Sequence, residues 1–452
     1  MQSPELPSYD TMPSAAAAQS SASSYTPPVA FAFTINYILG IGCLAIPYAF
    51  YQGGLVLGTA LLLFITCVCF VTALWIAETL ERSQRLLISI NNERSPLSRS
   101  PNSKRRLLAE AAAAPPPSVT MLCHRYCGLM GASLYQVSLL VLGYGGLIAF
   151  SQVFVNSVVS QLPAFDYSDV AAAVGYGLVV IPLSCCDLKE QVGVQVALSI
   201  VRFVAVLLMI ASASWAVWTH SKDIDAKVET IPLVDFNSFG LLFSAVVLAQ
   251  LFHHSIPGLL APLAPADQIH ATAVFGTALA TTTIFYILLA FSCAYCFGST
   301  LLSSVNLNWV AFTWESHHPF WGRALSFFVV IFPALDTLSI FPLLAVTLAD
   351  NLAATCHLSS KVLLRLVATV PALIVAVVVK DLAVTLRWCG VFGIYVAFIA
   401  PAWLHFEAQR HDPLPTIHSS VLSSNIFVSL VVLFGAVATA IVTMQNMAQD
   451  VY

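Results

Sequence analysis

Three groups of residues in this chain place polar atoms or free backbone inside long apolar runs. The first is Asp336 with Thr337 and Ser339, flanked by Phe332 and Phe341. A carboxylate held in hydrocarbon is costly, and it usually marks an ion or solute path. Two roles fit Asp336: a desolvated proton carrier, or a buried structural carboxylate at a helix break near Pro333. Thr337 and Ser339 offer the alternative of hydroxyls that ligate sodium. The second group is Phe252, His253, His254 and Ser255. Adjacent histidines point about 100° apart on a helix, so they do not form a two-His metal site, which needs i, i+4 spacing. Histidine titrates near neutrality, which suits proton coupling or pH sensing; a satisfied structural role is the plainer reading. The third group is Asn36 and the run Gly40, Ile41, Gly42, Cys43 and Leu44, followed by Pro47. Here the chemistry lies in the backbone, since two glycines and a proline weaken or interrupt a helical hydrogen-bond ladder.

The elements that must hold these groups are membrane helices. Of the 452 residues, 58% are hydrophobic and 9% charged, whereas a soluble domain carries about 25% charge. Thr11 to Ala77 contains no Asp, Glu, Lys or Arg. A spanning helix needs about 20 apolar residues. The pattern predicts an all-α polytopic membrane protein with about eleven spans, at 29–50, 55–79, 128–160, 170–186, 192–218, 237–261, 270–300, 321–350, 361–379, 382–405 and 421–447. Residues 1–28 read as a disordered tail, 80–127 as a flexible insertion in the transmembrane domain 29–447, and 448–452 as a short tail. Glu78 and Glu81 are expected at the membrane boundary, solvated. Arg202, inside the fifth segment, is expected to pair with a carboxylate or a backbone carbonyl.

Sidedness follows from the basic residues. With the N-terminus in the cytoplasm, twelve Lys and Arg fall on the cytoplasmic loops and flanks, and five on the other face. That excess sets orientation. The net charge of −4 points to no nucleic-acid partner, and no cofactor motif is present. Most of the eleven cysteines lie in apolar runs and read as small fillers.

The second and third groups lie in helices that bear on a common pattern. Gly40-Ile41-Gly42 with Pro47 interrupts the first segment, and His253-His254-Ser255-Ile256-Pro257-Gly258 interrupts the sixth. Interruptions five helices apart point to an inverted repeat with a midplane site. Unwound backbone exposes groups that hydrocarbon cannot satisfy, and a zwitterion or ion can. Half-helix N-termini favour a carboxylate, while free carbonyls favour an ammonium group or a cation.

Asn36, Gly40-Ile41-Gly42, Leu44-Ala-Ile-Pro47-Tyr48-Ala-Phe50 and Gly53-Gly54 resemble the opening of the amino acid/auxin permease family. So do Phe243, His254, Ile256-Pro257 and Leu263-Ala-Pro265, and Tyr286 with Tyr295 and Phe297-Gly298. The stretch Phe332-Pro333 to Phe341-Pro342 and on to Leu348 is similar to the transmembrane protein 104-like branch. Ile41 stands where many permeases have Thr. The resemblance implies a LeuT-type fold, two inverted five-helix repeats plus one helix, and transport of a small amino-acid-like substrate with a coupling cation, proton or sodium. Under that reading substrate contacts Asn36, Gly40 to Leu44 and Phe252 to Ser255, and Asp336, Thr337 and Ser339 serve coupling. A transporter-like nutrient receptor that signals through a partner is the alternative. No enzyme motif of the metallohydrolase or serine-hydrolase kind is present, so no catalysis is expected.

Overall fold

The computed structural model describes residues 26–40, 42–94, 117–163, 166–185, 192–219, 231–263, 267–312, 319–356 and 360–451. Among the described residues, ten helices are long and apolar enough to cross a membrane, and a bent pair at the N-terminus, taken as one span, makes eleven. That first span is α1a, Pro27–Ile38, and α1b, Gly42–Gly53, which meet at 56°. Pro27 opens α1a in the first turn, where a missing N–H costs nothing. Gly54, at φ +94°, then reverses the chain tightly enough that a Cβ would strike the Leu233 backbone at 2.5 Å.

The remaining spans follow in order. They are α2 (Leu55–Arg94), α3 (Val119–Val159), α4 (Ser168–Cys185) and α5 (Val192–Thr219). Next come α6a (Phe239–Ala249) and the short α6b (Ile256–Leu260), then α7 (Ala271–Phe297), α8 (Pro319–Cys356) and α9 (Lys361–Val378). The last are α10 (Leu382–His411) and α11 (Asn425–Val451). Helix starts carry the expected caps. Ser118 accepts from Met121 N–H, Ser360 from Leu363 N–H and Asp381 from Ala383 N–H.

Several expected boundaries move. Helix α2 does not stop at the membrane edge but runs on to Arg94, and α3 begins at Val119. The flexible insertion expected at 80–127 is therefore helical at both its ends, where Leu80, Arg82 and Ser83 are buried at one and Val119, Leu122 and Cys123 at the other. Residues 95–116 lie outside the described residues, as does 1–25 of the expected tail. Gly128, at φ +70°, turns the nine-residue approach 119–127 into the span proper. The C-terminal helix continues through Val451 rather than ending at 447.

Close packing carries the rest. A Cβ on Gly145 of α3 would lie 1.9 Å from Cys389 Sγ of α10, so only glycine fits there. Small residues at such contacts let membrane helices approach, where dispersion rather than water drives association. Inside α10, Tyr395–Ile399 forms one π-helical turn, a widening common at functional sites.

Candidate functional site

Residues 39–41 separate α1a from α1b, and 250–252 separate α6a from the 3-10 turn His253–Ser255. The breaks lie against each other. A Cβ on Gly42 would touch Ala249 at 3.4 Å. The Tyr286 hydroxyl of α7 lies 3.0 Å from the Ile38 carbonyl and 3.1 Å from the Ala249 carbonyl. Both carbonyls are C-terminal ends of half-helices, whose last C=O groups have no partner within the helix. One hydroxyl, carrying one proton, thus serves both ends. The prolines are not at the breaks: Pro47 lies inside α1b and Pro257 in the first turn of α6b.

The carbonyl ends of α1a have a second partner, Arg202 of α5. Its Nη1 donates to the Leu39 carbonyl at 2.7 Å and to Asn36 Oδ1 at 3.1 Å, with the Asn36 carbonyl at 3.5 Å. Its Nε and Nη2 donate to the two Asp336 oxygens at 2.8 and 3.0 Å. Both side chains are buried, Arg202 8% and Asp336 8% exposed. This is the two-pronged guanidinium–carboxylate geometry, the strong form of the pair. It answers the two sequence-level options for Asp336 in part: the carboxylate is paired and fixed. It also places Arg202, expected to find a carboxylate or a carbonyl, on both.

A cavity of about 30 Å³ adjoins this pair. Gly40, Cys43 and Leu44 of the first break line one wall, and Phe332, Pro333, Asp336 and Thr337 of α8 another. Phe150 of α3 and Arg202, Ala205, Val206 and Met209 of α5 complete it. It has room for a water or two, not for a free amino acid. A solute enters only if the walls part.

The structure brings together Asn36, Gly40, Cys43, Leu44, Asp336 and Thr337. Gly42 sits half-buried on the opposite, α6a-facing side, and Ile41 lies outside the described residues. Ser339 does not line the cavity; its hydroxyl donates to the Asp336 carbonyl, and the Thr337 hydroxyl donates to Ala334. Phe252, His253, His254 and Ser255 are not at this cavity. Phe252 is fully buried against the Phe275 ring, and His253 Nε2 is 2.8 Å from the Thr72 hydroxyl of α2. His254 is exposed and Ser255 half-buried. The cause is the position of the break: it falls at 250–252, so the two histidines already belong to the restarted turn, where His253 meets α2 and His254 is exposed. Just before it, the buried Gln250 amide donates to the Thr283 and Thr66 hydroxyls at 2.8 and 3.0 Å.

A second polar centre lies at the far end of α2 and corrects the solvated reading of Glu78. That carboxylate is fully buried. It accepts from the hydroxyls of Ser419 and Ser423 and pairs with Arg82 at 3.2 Å. Arg82 also donates to the Asp412 carbonyl at 3.1 Å. Glu81, 21% exposed on its side chain, accepts from the Ile417 N–H at 3.0 Å. The connection 412–424 is thereby strapped to α2. His418 in it is buried beside Thr272, and burial lowers its pKa, with Glu81 and Glu78 opposing. The i, i+4 pair of Glu78 and Arg82 was visible in the sequence, but the hydroxyls and backbone atoms about 330 residues away that seal it from solvent leave no charge pattern.

Comparison with known proteins agrees with this geometry. A family model described as transmembrane amino acid transporter protein matches residues 24–443. Human (Homo sapiens) transmembrane protein 104 is 23% identical over 459 residues, covering 86% of this chain and 89% of that one. Its homolog in Dictyostelium discoideum is 23% identical over 496 residues, covering 94% and 97%. Among solved structures, MhsT in complex with L-phenylalanine superposes with a TM-score of 0.57 at 11% identity, covering 94% of this chain and 99% of that one. A mutant manganese transporter of Eremococcus coleocola gives 0.51 at 10% identity, covering 93% and 86%. At these identities the structures show the fold alone, and the fold is the LeuT type.

Proposed function

Because the chain belongs to the transmembrane amino acid transporter protein family, we propose that it moves an amino acid or related small solute across a membrane by alternating access. The observation that carries this is the cavity between the first break and α8, walled by Gly40, Cys43 and Leu44 on one side and by the Arg202–Asp336 pair on the other. The unwound backbone at the start of α1b offers N–H groups to a carboxylate. The ion pair adds one charge of each sign to a zwitterion's surroundings. Residues of α1 move relative to those of α8 to admit the solute, since the present cavity is too small for it. A cation, proton or sodium, drives the cycle. We assign the N-terminus to the cytoplasm, from twelve basic residues against five.

Proteoliposomes supplied with a radiolabelled amino-acid mixture and an imposed proton or sodium gradient test the reading. Wild type is expected to accumulate label, and Leu44→Trp, which fills the cavity, to lose it while keeping its thermal midpoint within a few degrees. Label bound but not accumulated by folded wild type sinks the transport reading in favour of a solute sensor.

A further inference from the structure

We propose that Arg202 is the resident cation of the gap between α1a and α8, filling with a tethered charge the place where a free coupling cation would bind, so that movement of solute through this chain does not depend on sodium. The consequence for flux rests on the transporter reading above; the occupancy of the gap does not.

The gap presents a set of oxygen donors. The end of α1a supplies the Leu39 and Asn36 carbonyls, which carry the negative end of the helix dipole. Asn36 adds Oδ1, and α8 adds the Asp336 carboxylate. Carbonyls of an unwound half-helix end, with oxygens from a facing helix, are the surroundings in which transporters hold a coupling cation. Here the Arg202 guanidinium engages every one of these groups, at 2.7 to 3.5 Å. The charge is already balanced, one guanidinium against one carboxylate. A sodium ion bonded to the same oxygens would sit within about 5 Å of the guanidinium, and like charges that close repel strongly away from water.

Arg202 departs from the rest of the basic residues. The chain has 18 Lys and Arg, and the other 17 belong to the loops and flanks of the two membrane faces. One charge placed in mid-span, at the end of a broken helix and on a carboxylate, has a local use.

Thermal unfolding of the purified full-length protein in detergent, in sodium, potassium or choline chloride at equal ionic strength, reads the gap without any flux. Wild type is expected to show one midpoint in all three salts. Arg202→Ala leaves the Asp336, Asn36 and Leu39 oxygens unclaimed and is expected to gain a midpoint rise of several degrees in sodium over choline. Arg202→Ala combined with Asp336→Asn is expected to lose that rise. A sodium-specific shift in wild type overturns the proposal, as does a folded Arg202→Ala with no sodium response. Should Arg202→Ala not fold, wild type and the charge-keeping Arg202→Lys decide, and a sodium response in either overturns it. In proteoliposomes, wild-type uptake is expected to change less than twofold when choline replaces sodium; a tenfold loss overturns the proposal. Absence of uptake in every medium defeats the transporter reading and leaves the thermal result to decide this one.

Discussion

Two buried ion pairs organise the polar interior, and they are built differently. Arg202 and Asp336 come from different helices and meet over the unwound end of α1a, beside a cavity. Glu78 and Arg82 lie one turn apart on α2 and hold the connection 412–424 through Ser419, Ser423 and the Asp412 carbonyl. In both, charge is buried where backbone leaves regular helix, because loose carbonyl and N–H groups there must find partners. The first pair borders a cavity with room for a water or two. The second is sealed by the segment it holds. The difference separates a site from a strap, although each pair alone reads as one costly charge in the membrane.

The largest expected effect comes from splitting the first pair. Arg202→Ala leaves a buried carboxylate uncompensated, a loss of about 3–5 kcal/mol. Arg202→Met with Asp336→Leu removes both charges and is expected to recover most of it. Unfolding midpoints of the three proteins check this, and equal losses in the single and double variants would show that the pair's charge is not what matters.

Splitting the strap by Glu78→Gln is expected to fall at the low end of the same range, about 3 kcal/mol, because the stranded Arg82 guanidinium keeps the Asp412 carbonyl as a partner. Its signature is local. Limited proteolysis is expected to speed up within 412–424 and nowhere near the first break. Cleavage unchanged at that segment would remove the distinction between strap and site.

Tyr286→Phe sharpens the comparison from the site side. It deletes the hydroxyl shared by the Ile38 and Ala249 carbonyls, although the Ile38 carbonyl keeps the Gly40 N–H at 2.8 Å, so the loss is expected at about 1–2 kcal/mol. Solute binding is expected to weaken in this variant and to stay as in wild type in Glu78→Gln, measured with the same labelled mixture.

The smallest effect is one of pH. His418 has its pKa lowered by burial, so the unfolded chain takes up a proton first as pH falls. Stability from the docked 412–424 connection is therefore whole above the ordinary histidine value of about 6.5 and declines below it. Midpoints measured between pH 8 and pH 5 are expected to fall at the acid end in wild type, and less so in His418→Gln. Parallel curves would place the acid sensitivity elsewhere.

Much of the architecture was written locally. Runs of about 20 apolar residues mark the spans because lipid imposes the same demand on each one separately. Gly40 and Gly42 announced the first break for a similarly local reason. The sixth was announced by Pro257 and the histidines, yet it opens before them, at 250–252. The end of a half-helix is set by which neighbour takes its carbonyls, and here that neighbour is Tyr286, 37 residues on from Ala249. The same applies to Phe252 and His253, which packing sets against Phe275 of α7 and Thr72 of α2. Helical 80–94 was hidden by its polar composition, since the surface it covers belongs to other elements.

What the sequence determined by itself is the membrane, the count of spans, the first interruption and the presence of one mid-span acid and one mid-span base. Tertiary structure alone decided that Asp336 and Arg202, 134 residues apart, are partners, that both answer to the end of α1a, and that Glu78 is a buried strap and not a solvated boundary charge. The physical reason is range. Hydropathy and backbone propensity act within a turn or a span, so a single stretch of chain reports them. The partner of a charge buried between helices, as with Asp336 and Arg202, is chosen by what packing brings within about 3 Å, and only a pair one turn apart, such as Glu78 and Arg82, lies within one stretch of sequence.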